Sequence, residues 1–239
     1  VLQGVIFLAL FEFYQLASKK ELFPQKVIGF LSAFFIGLSF YQEEIQLSLV
    51  IFLFLLLISV YYLTYVKNDI TLDTFPSSVG VTFFGAFYIS FTLSYLILLQ
   101  KKSPNLILFL LTVIYIGDTG AYFVGKLWGK RKMVPLASPN KTWEGGIGGI
   151  LFAVLGAIIG QQLFLKEISL LNGILCGVLL NIVAQMSDPV ESLFKRAVRM
   201  KDSSHILPGH GGMLDRIDSL ILSAPFFYYY VYFLWGWRF

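Results

Sequence analysis

Long apolar runs follow one another along almost the whole chain and restrict its fold more than any other feature. Crossing a bilayer as a helix takes about twenty mostly apolar residues. Eight runs approach that length: 1–17, 25–40, 45–66, 77–100, 105–125, 146–165, 168–190 and 217–239. Only 13% of the residues are charged, against about 25% in a soluble domain. Because backbone groups in lipid must be satisfied within their own segment, the sequence predicts an all-α, polytopic membrane bundle of about eight spans, forming one domain over 1–239.

The distribution of Lys and Arg predicts the orientation of this bundle. If the eight spans alternate in direction, most of the 18 basic residues fall in loops on one side. These residues are Lys19, Lys20, Lys26, Lys67, Lys126, Lys130, Arg131, Lys132, Lys141, Lys195, Arg196, Arg199, Lys201 and Arg216. Loops rich in Lys and Arg stay in the cytoplasm, so this side is predicted to be cytoplasmic. The two most basic loops then share one membrane face.

Asp118 stands inside the predicted span 105–125, flanked by Gly117 and Thr119. An ionisable side chain within a span is costly and commonly marks a functional site or an ion path. The alternative is an aspartate that is level with the headgroups and simply solvated.

The loop after this span ends in a segment that suits an anion. Ser138 and Pro139 predict a helix start, with the serine as N-cap and the proline as the first helical residue. Lys141, Thr142 and Glu144 would then lie in the first turns, where free backbone N–H groups favour anions. Lys141 is accordingly the better candidate for contact with a phosphate.

Two other features of this loop favour structural roles. Gly145 and Gly149 form a small-xxx-small pair that predicts close helix packing. The consecutive basic residues 130–132 are more typical of topology determinants than of a binding site.

Residues 187–218 carry much of the remaining charge. Asp188, Glu191, Ser192, Lys195 and Arg199 recur at helical spacing and predict one polar stripe. Such a stripe suits the wall of a polar cleft, or else a helix end that surfaces into water with its lysine and arginine extended to the headgroups. The proline after Asp188 must disturb the helix near the carbonyl four residues before it.

The second half of this stretch contains a glycine-rich turn and a pair of aspartates. Gly209, Gly211 and Gly212 allow the backbone to approach a ligand closely, and consecutive N–H groups of this turn could form an anion nest. Asp215 and Asp218 are three residues apart and therefore share one helical face. Such a pair suits Mg²⁺, which takes its remaining ligands from water and substrate phosphates. The alternative is that the intervening arginine merely neutralises the pair.

Several of these segments together resemble one family. The motifs Ser192-x-Phe194-Lys195-Arg196, Lys201-Asp202-x-Ser204 and Leu207-Pro208-x-His210-Gly211-Gly212-Met213-x-Asp215-Arg216-Ile217-Asp218 resemble the signature of the phosphatidate cytidylyltransferases, or CDP-diacylglycerol synthases. The segments Asp118-Thr119-x-Ala121-Tyr122, Ser138-Pro139-x-Lys141-Thr142-x-Glu144-Gly145 and Glu12-Phe13-Tyr14 are similar to that family as well. Members usually have another apolar segment before the one that begins here at Val1, so a ninth span is left open.

The resemblance implies that CTP and phosphatidic acid react to give CDP-diacylglycerol and pyrophosphate, in phospholipid biosynthesis at a bacterial cytoplasmic membrane. It implies Mg²⁺, with Asp118, Asp188, Asp215 and Asp218 as catalytic and metal-binding residues. Four carboxylates exceed the needs of one Mg²⁺, which favours a second cation, K⁺ or another Mg²⁺. The implied substrate-binding residues are Lys141, Thr142, Glu144, Ser192, Lys195, Arg196, Lys201, Asp202, His210, Gly211, Gly212 and Arg216. His210 either binds a phosphate or orients the turn. The implied partners are the lipid bilayer and a second copy of the chain, and no nucleic acid.

Two rival functions remain at this point. A CTP-dependent polyprenol kinase would share the nucleotide and the metal but transfer the γ-phosphoryl group to an alcohol. An ion or solute transporter would use Asp118 and Asp188 as coupling sites. Transporters tend to show matching broken helices in two halves, whereas polarity here is concentrated in the C-terminal half of the chain.

Overall fold

The computed structural model describes residues 1–42, 44–66, 69–204 and 211–236. Within them the chain forms nine α-helices and one short antiparallel hairpin. The helices are α1 (Leu2–Lys19), α2 (Lys26–Tyr41), α3 (Leu47–Tyr65), α4 (Asp69–Gly85), α5 (Thr92–Lys102), α6 (Pro104–Trp128), α7 (Trp143–Phe164), α8 (Leu170–Ala197) and α9 (Leu214–Leu234). A π-helical segment, Ala86–Phe91, joins α4 to α5. The hairpin pairs β1 (Lys132–Val134) with β2 (Ser138–Thr142).

Over the described residues, each apolar run predicted to span the membrane is mostly helical, which supports an all-α, polytopic membrane fold with one small sheet. In the described part of the chain, six helical segments are long and apolar enough to cross a bilayer: Leu47–Tyr65, Leu72–Lys102, Pro104–Trp128, Trp143–Phe164, Leu170–Ala197 and Leu214–Leu234. Helix α2 is apolar but shorter. The count of eight spans is therefore not confirmed. That α1 and α2 also cross the membrane stays a prediction.

The chain divides into two compact units, and the single-domain organisation also stays a prediction. The first unit comprises Val1–Ser94 and Ala197–Arg216. Tyr14 is fully buried in this unit, where its hydroxyl donates to the carbonyl of Thr82 at 2.7 Å. A side chain at Gly29 or Gly85 would collide with the Tyr14 ring. These two glycines therefore make the space into which the tyrosine packs.

The second unit comprises Tyr95–Arg196 and Ile217–Phe239. Helices α6 and α7 pack closely in it because glycines alternate with larger side chains. A Cβ atom at Gly120 would meet Phe152, and one at Gly148 would meet Val124. A Cβ atom at Gly145 would lie 2.8 Å from the carbonyl oxygen of Ala121. The predicted packing role of Gly145 is thus confirmed.

Two local predictions for the second unit are wrong. Ser138 and Pro139 do not start a helix, because they pair within β2, and α7 begins only at Trp143. Thr142 is the actual N-cap, since its Oγ1 accepts the N–H of Gly145 at 3.1 Å. The polar stripe also ends early: α8 stops at Ala197, and Arg199 adopts φ +58°. A left-handed backbone cannot continue an α-helix, so Arg199 is not part of the stripe.

Candidate active site

A cavity of about 720 Å³ opens in the second unit. It is lined by three aspartates and three lysines, together with small and amide residues. The charged lining residues are Asp118, Lys126, Lys132, Lys141, Asp188 and Asp218. They come from α6, the hairpin, α8 and α9. Carboxylates and ammonium groups thus face one space, as a site for a phosphate ester with its cation requires.

Asp118 and Asp218 are linked through Ser219. The hydroxyl of Ser219 lies 3.2 Å from Oδ2 of Asp118 and 3.3 Å from Oδ1 of Asp218. The backbone N–H of Ser219 donates to the same Asp218 oxygen at 2.7 Å. A hydroxyl has one proton to donate, so it satisfies one carboxylate at a time. Ser219 was not recognised from the sequence, where it is an ordinary serine after the aspartate.

Asp188 is held by two side chains. Nζ of Lys141 lies 2.9 Å from its Oδ2, and the hydroxyl of Ser192 donates to its Oδ1 at 3.3 Å. Lys141 lies near the end of β2. Its Nζ also donates to the backbone carbonyl of Gln185 at 3.1 Å, although the two residues are 44 positions apart in the sequence. The predicted phosphate ligand Lys141 therefore lies beside a predicted metal ligand.

Ser187 brings Asp188 and Asp218 to the same cavity. Its fully buried hydroxyl donates to the backbone carbonyl of Asp218 and accepts the N–H of Leu222 at 3.3 Å. This contact joins α8 to α9 at Asp218 itself and one residue before Asp188. The sequence showed Ser187 only as a small polar residue in an apolar helix.

A buried amide pair supports this wall of the cavity. Nε2 of Gln185 donates to the carbonyl of Gly146 at 3.1 Å and to Oδ1 of Asn181. Asn181 is fully buried, and a Cβ atom at Gly117 would collide with its amide. These contacts join α8 to α6 and α7. The spacing i, i+4 of two amides in an apolar helix was the available sequence signal.

Glu144 holds the base of the hairpin. Its Oε2 accepts the backbone N–H of Lys130 at 3.0 Å and that of Arg131 at 3.1 Å. The described contacts of this predicted substrate ligand are therefore to the protein backbone. Through them Glu144 keeps the basic loop next to the start of α7.

The basic residues at the end of α8 have protein partners. Lys195 forms an almost buried ion pair with Glu191 at 2.6 Å, and Nε of Arg196 donates to the carbonyl of Ala137 at 3.2 Å. Arg196 thereby ties the hairpin to α8. Their predicted contact with phosphate stays a prediction.

The remaining predicted residues belong to the first unit. Oδ2 of Asp215 accepts the N–H of Ser203 and the N–H of Gly212, each at 2.9 Å, and lies 2.9 Å from the hydroxyl of Ser203. Gly211 needs its glycine, because its φ is +78°. Lys201 and Arg216 are exposed, and Asp202 is half-buried. His210 lies outside the described residues, as do Pro208 and Gly209.

Comparison with known proteins shows to which family this chain belongs. A sequence model of the cytidylyltransferase family matches residues 1–234. The chain is 38% identical to the phosphatidate cytidylyltransferase of Bacillus subtilis (strain 168) over 228 residues, which is 92% of this chain and 83% of that protein. The chain belongs to the cytidylyltransferase family. It is a nucleotidyltransferase and an integral membrane protein with bacterial relatives.

Two further relatives of this cytidylyltransferase match over shorter stretches. The phosphatidate cytidylyltransferase of Haemophilus influenzae (strain Rd) is 41% identical over 133 residues, 54% of this chain and 46% of that protein. The uncharacterized protein YnbB of Escherichia coli (strain K12) is 40% identical over 164 residues, 66% of this chain and 55% of that protein. The matched stretch is about half the length of each of these two relatives.

The carboxylates of this family member fit a metal ion that is bound partly by its substrate. Among the described residues, no three or more His, Cys, Asp or Glu side chains are grouped so that they could hold a metal ion by themselves. No donor in that part of the chain reaches Oδ1 of Asp118 or Oδ2 of Asp218. Mg²⁺ usually takes one or two carboxylates and completes its shell with water and phosphates. These two oxygens suit that mode of binding.

Proposed function

We propose that this chain is a phosphatidate cytidylyltransferase, which converts CTP and phosphatidic acid into CDP-diacylglycerol and pyrophosphate. One observation carries the proposal: Asp118, Asp188 and Asp218 share a cavity with Lys141. Acidic groups for a cation and a basic group for phosphate are what a nucleotide reaction of this kind requires. The names of the Bacillus and Haemophilus relatives support the same substrates.

The proposed reaction depends mainly on positioning the two substrates and on neutralising their charge. An oxygen of the lipid phosphate attacks the α-phosphorus of CTP, the bond from that phosphorus to the bridging oxygen breaks, and pyrophosphate leaves. The second pKa of a phosphate monoester is about 6, so the attacking group is already largely ionised at neutral pH. A strong general base is therefore not needed, and charge neutralisation becomes the main task.

The residues of the cavity divide this task. Lys141 would bind the triphosphate, since its ammonium has three N–H donors and two of them are taken by Gln185 and Asp188. Asp118 and Asp218 would hold Mg²⁺ together with water and substrate phosphates. The predicted metal-binding roles of Asp188 and Asp215, and the second cation, K⁺ or Mg²⁺, that they would accompany, remain part of the proposal. Bound there, Mg²⁺ would neutralise the phosphates and the leaving pyrophosphate. Ser219 would keep Asp118 and Asp218 at a fixed separation.

The proposal includes a cytoplasmic site. Lys126, Lys130, Arg131 and Lys132 are all exposed at the end of α6 where the cavity opens. Such a concentration of cations is typical of the cytoplasmic side. Trp128 and Trp143 are exposed at the base of the same hairpin, and tryptophan is enriched at the membrane–water interface. CTP could then enter from water and the lipid from the adjacent leaflet.

Labelled CTP tests this function. Purified protein in proteoliposomes with phosphatidic acid and Mg²⁺ is given CTP labelled either in the α- or in the γ-phosphate. A cytidylyltransferase moves the α-label into lipid and releases the γ-label as pyrophosphate. A polyprenol kinase would move the γ-label into lipid when given the alcohol. Absence of α-labelled lipid with phosphatidic acid rules the proposal out.

A further inference from the structure

Helix α8 contains Pro189 in its interior, next to Asp188. Proline has no N–H, so the carbonyl four residues earlier, that of Gln185, receives no hydrogen bond from the helix at this point. A carbonyl that is shielded from water and has no donor is costly and almost always finds another partner, and Gln185 is half-buried. Pro189 is itself buried. The helix thus offers an acceptor at a place where helices normally offer none.

Lys141 occupies that acceptor. Its Nζ donates to the Gln185 carbonyl at 3.1 Å while it pairs with Asp188 at 2.9 Å. The two acceptors belong to the turn that the proline opens. Because the lysine side chain is only 24% exposed and lines the cavity, this contact sets where the positive charge lies.

Both ends of the Lys141–Gln185 contact are fixed by other contacts. The side chain of Gln185 donates to the carbonyl of Gly146 in α7. Lys141 directly precedes Thr142, the N-cap of that same helix. The lysine and its carbonyl acceptor are therefore both tied to the start of α7. An ammonium held in this way loses little rotamer freedom when a phosphate binds, which is preorganisation.

We propose that Pro189 is a positioning residue for the nucleotide. By withholding an N–H it reserves the Gln185 carbonyl for Lys141 and so holds the ammonium ready for the triphosphate. This inference rests on the proposed function, in which Lys141 binds that triphosphate. An N–H at position 189 would form the helical hydrogen bond with the Gln185 carbonyl. Lys141 would then lose that acceptor and keep only its ion pair with Asp188.

The test is a double-mutant cycle between Pro189→Ala and Lys141→Met, read out as the equilibrium dissociation constant for CTP in detergent. Losing a hydrogen bond to a charged group corresponds to about a tenfold loss of affinity, so Pro189→Ala is expected to raise that constant about tenfold. In the Lys141→Met background the same change is expected to have almost no effect, because the lysine it positions is gone. Pro225→Ala, which removes the proline inside α9 away from the cavity, is the matched control and should bind CTP like the unmodified protein.

A merely structural role for Pro189 gives different results. The inference is overturned if Pro189→Ala binds CTP normally, or if it weakens binding equally with and without Lys141. Pro189→Ser also restores the N–H and replaces the alanine variant in the cycle if the latter does not fold. The readout does not depend on turnover. If the protein binds CTP but forms no labelled lipid, the proposed reaction fails while the cycle still decides the role of Pro189.

Discussion

The carboxylate of Glu12 accepts the backbone N–H of Leu214 at 2.8 Å, although the two residues are 202 positions apart. Two more donors meet the same carboxylate, the N–H of Met213 at 2.9 Å and the hydroxyl of Ser204 at 2.6 Å. The hydroxyl of Ser203 lies 2.8 Å from it and donates its one proton either to Glu12 or to Asp215. Glu12 is fully buried. Within the first unit, helix α1 thereby fixes the start of α9 and the segment that follows α8.

Glu12→Gln tests how much the hydrogen bonds to Glu12 contribute to the free energy of unfolding. The amide keeps one acceptor oxygen but turns an NH₂ group toward donors, so buried N–H groups lose their partner. We expect the free energy of unfolding to fall by about 3 kcal/mol and the midpoint of thermal unfolding in detergent to fall by about 6 °C. Glu21→Gln, at an exposed glutamate of the same unit, should leave the midpoint unchanged. An unchanged midpoint for Glu12→Gln would contradict this account.

Gly148→Ala tests the packing of α6 against α7. Its new Cβ would meet the branched side chain of Val124 close to the backbone, where little can move. Overpacking of this kind costs about 1–3 kcal/mol, so a lower unfolding midpoint is expected. Gly80→Ala is the matched control, because nothing lies within 4 Å of its added Cβ and alanine is the better helix former. The packing account fails if the two variants unfold at the same temperature.

Ser219→Ala tests the link between Asp118 and Asp218. Without the hydroxyl, the two carboxylates lose their shared donor, and we expect the Mg²⁺ concentration for half-maximal turnover to rise about tenfold. Ser223→Ala is a suitable control, since this serine lies one turn later in α9 and donates to the carbonyl of Ser219. Turnover assayed across Mg²⁺ concentrations separates the two. Equal shifts in both variants would point to a general effect on the helix.

Glu144→Gln tests whether the hairpin base matters for substrate. The glutamine replaces the acceptor of two backbone N–H groups with a single neutral oxygen, which loosens the segment before β1. We expect KM for CTP to rise about fivefold with kcat little changed. Glu167→Gln, an exposed residue between α7 and α8, serves for comparison. An unaltered KM in Glu144→Gln would show that the basic loop does not contact the nucleotide.

Asp218→Asn tests the metal assignment directly. An amide is a poorer ligand for a hard cation, so turnover is expected to fall at least about a hundredfold while the protein elutes as a folded species in detergent. Lys26→Ala, at an exposed position of α2, should retain full activity. Near-normal turnover of Asp218→Asn at every Mg²⁺ concentration would remove Asp218 from the metal site.

The sequence predicted the helices well because hydropathy is a local property. Each predicted span is mostly helical over the described residues, and Asp118, Asp188 and Asp218 were all recognised as costly charges in apolar surroundings. The hairpin was missed, since β1 has only three residues and its pairing depends on residues four to ten positions away. Ser138 and Pro139 carry a valid helix-start signal that strand pairing overrode.

The sequence by itself determined the membrane class, the family and the acidic residues of the candidate site. Only the tertiary structure decided which groups meet. In it, Asp215 makes its contacts within the first unit, and Lys141 donates to the Gln185 carbonyl, which Pro189 leaves without a helical donor. Glu12 accepts hydrogen bonds from residues about 200 positions later in the chain, such as Leu214. The physical reason is that hydrophobicity and helix capping act over a few residues. A buried acceptor, by contrast, takes whichever donor the packing of distant segments brings within 3 Å or so.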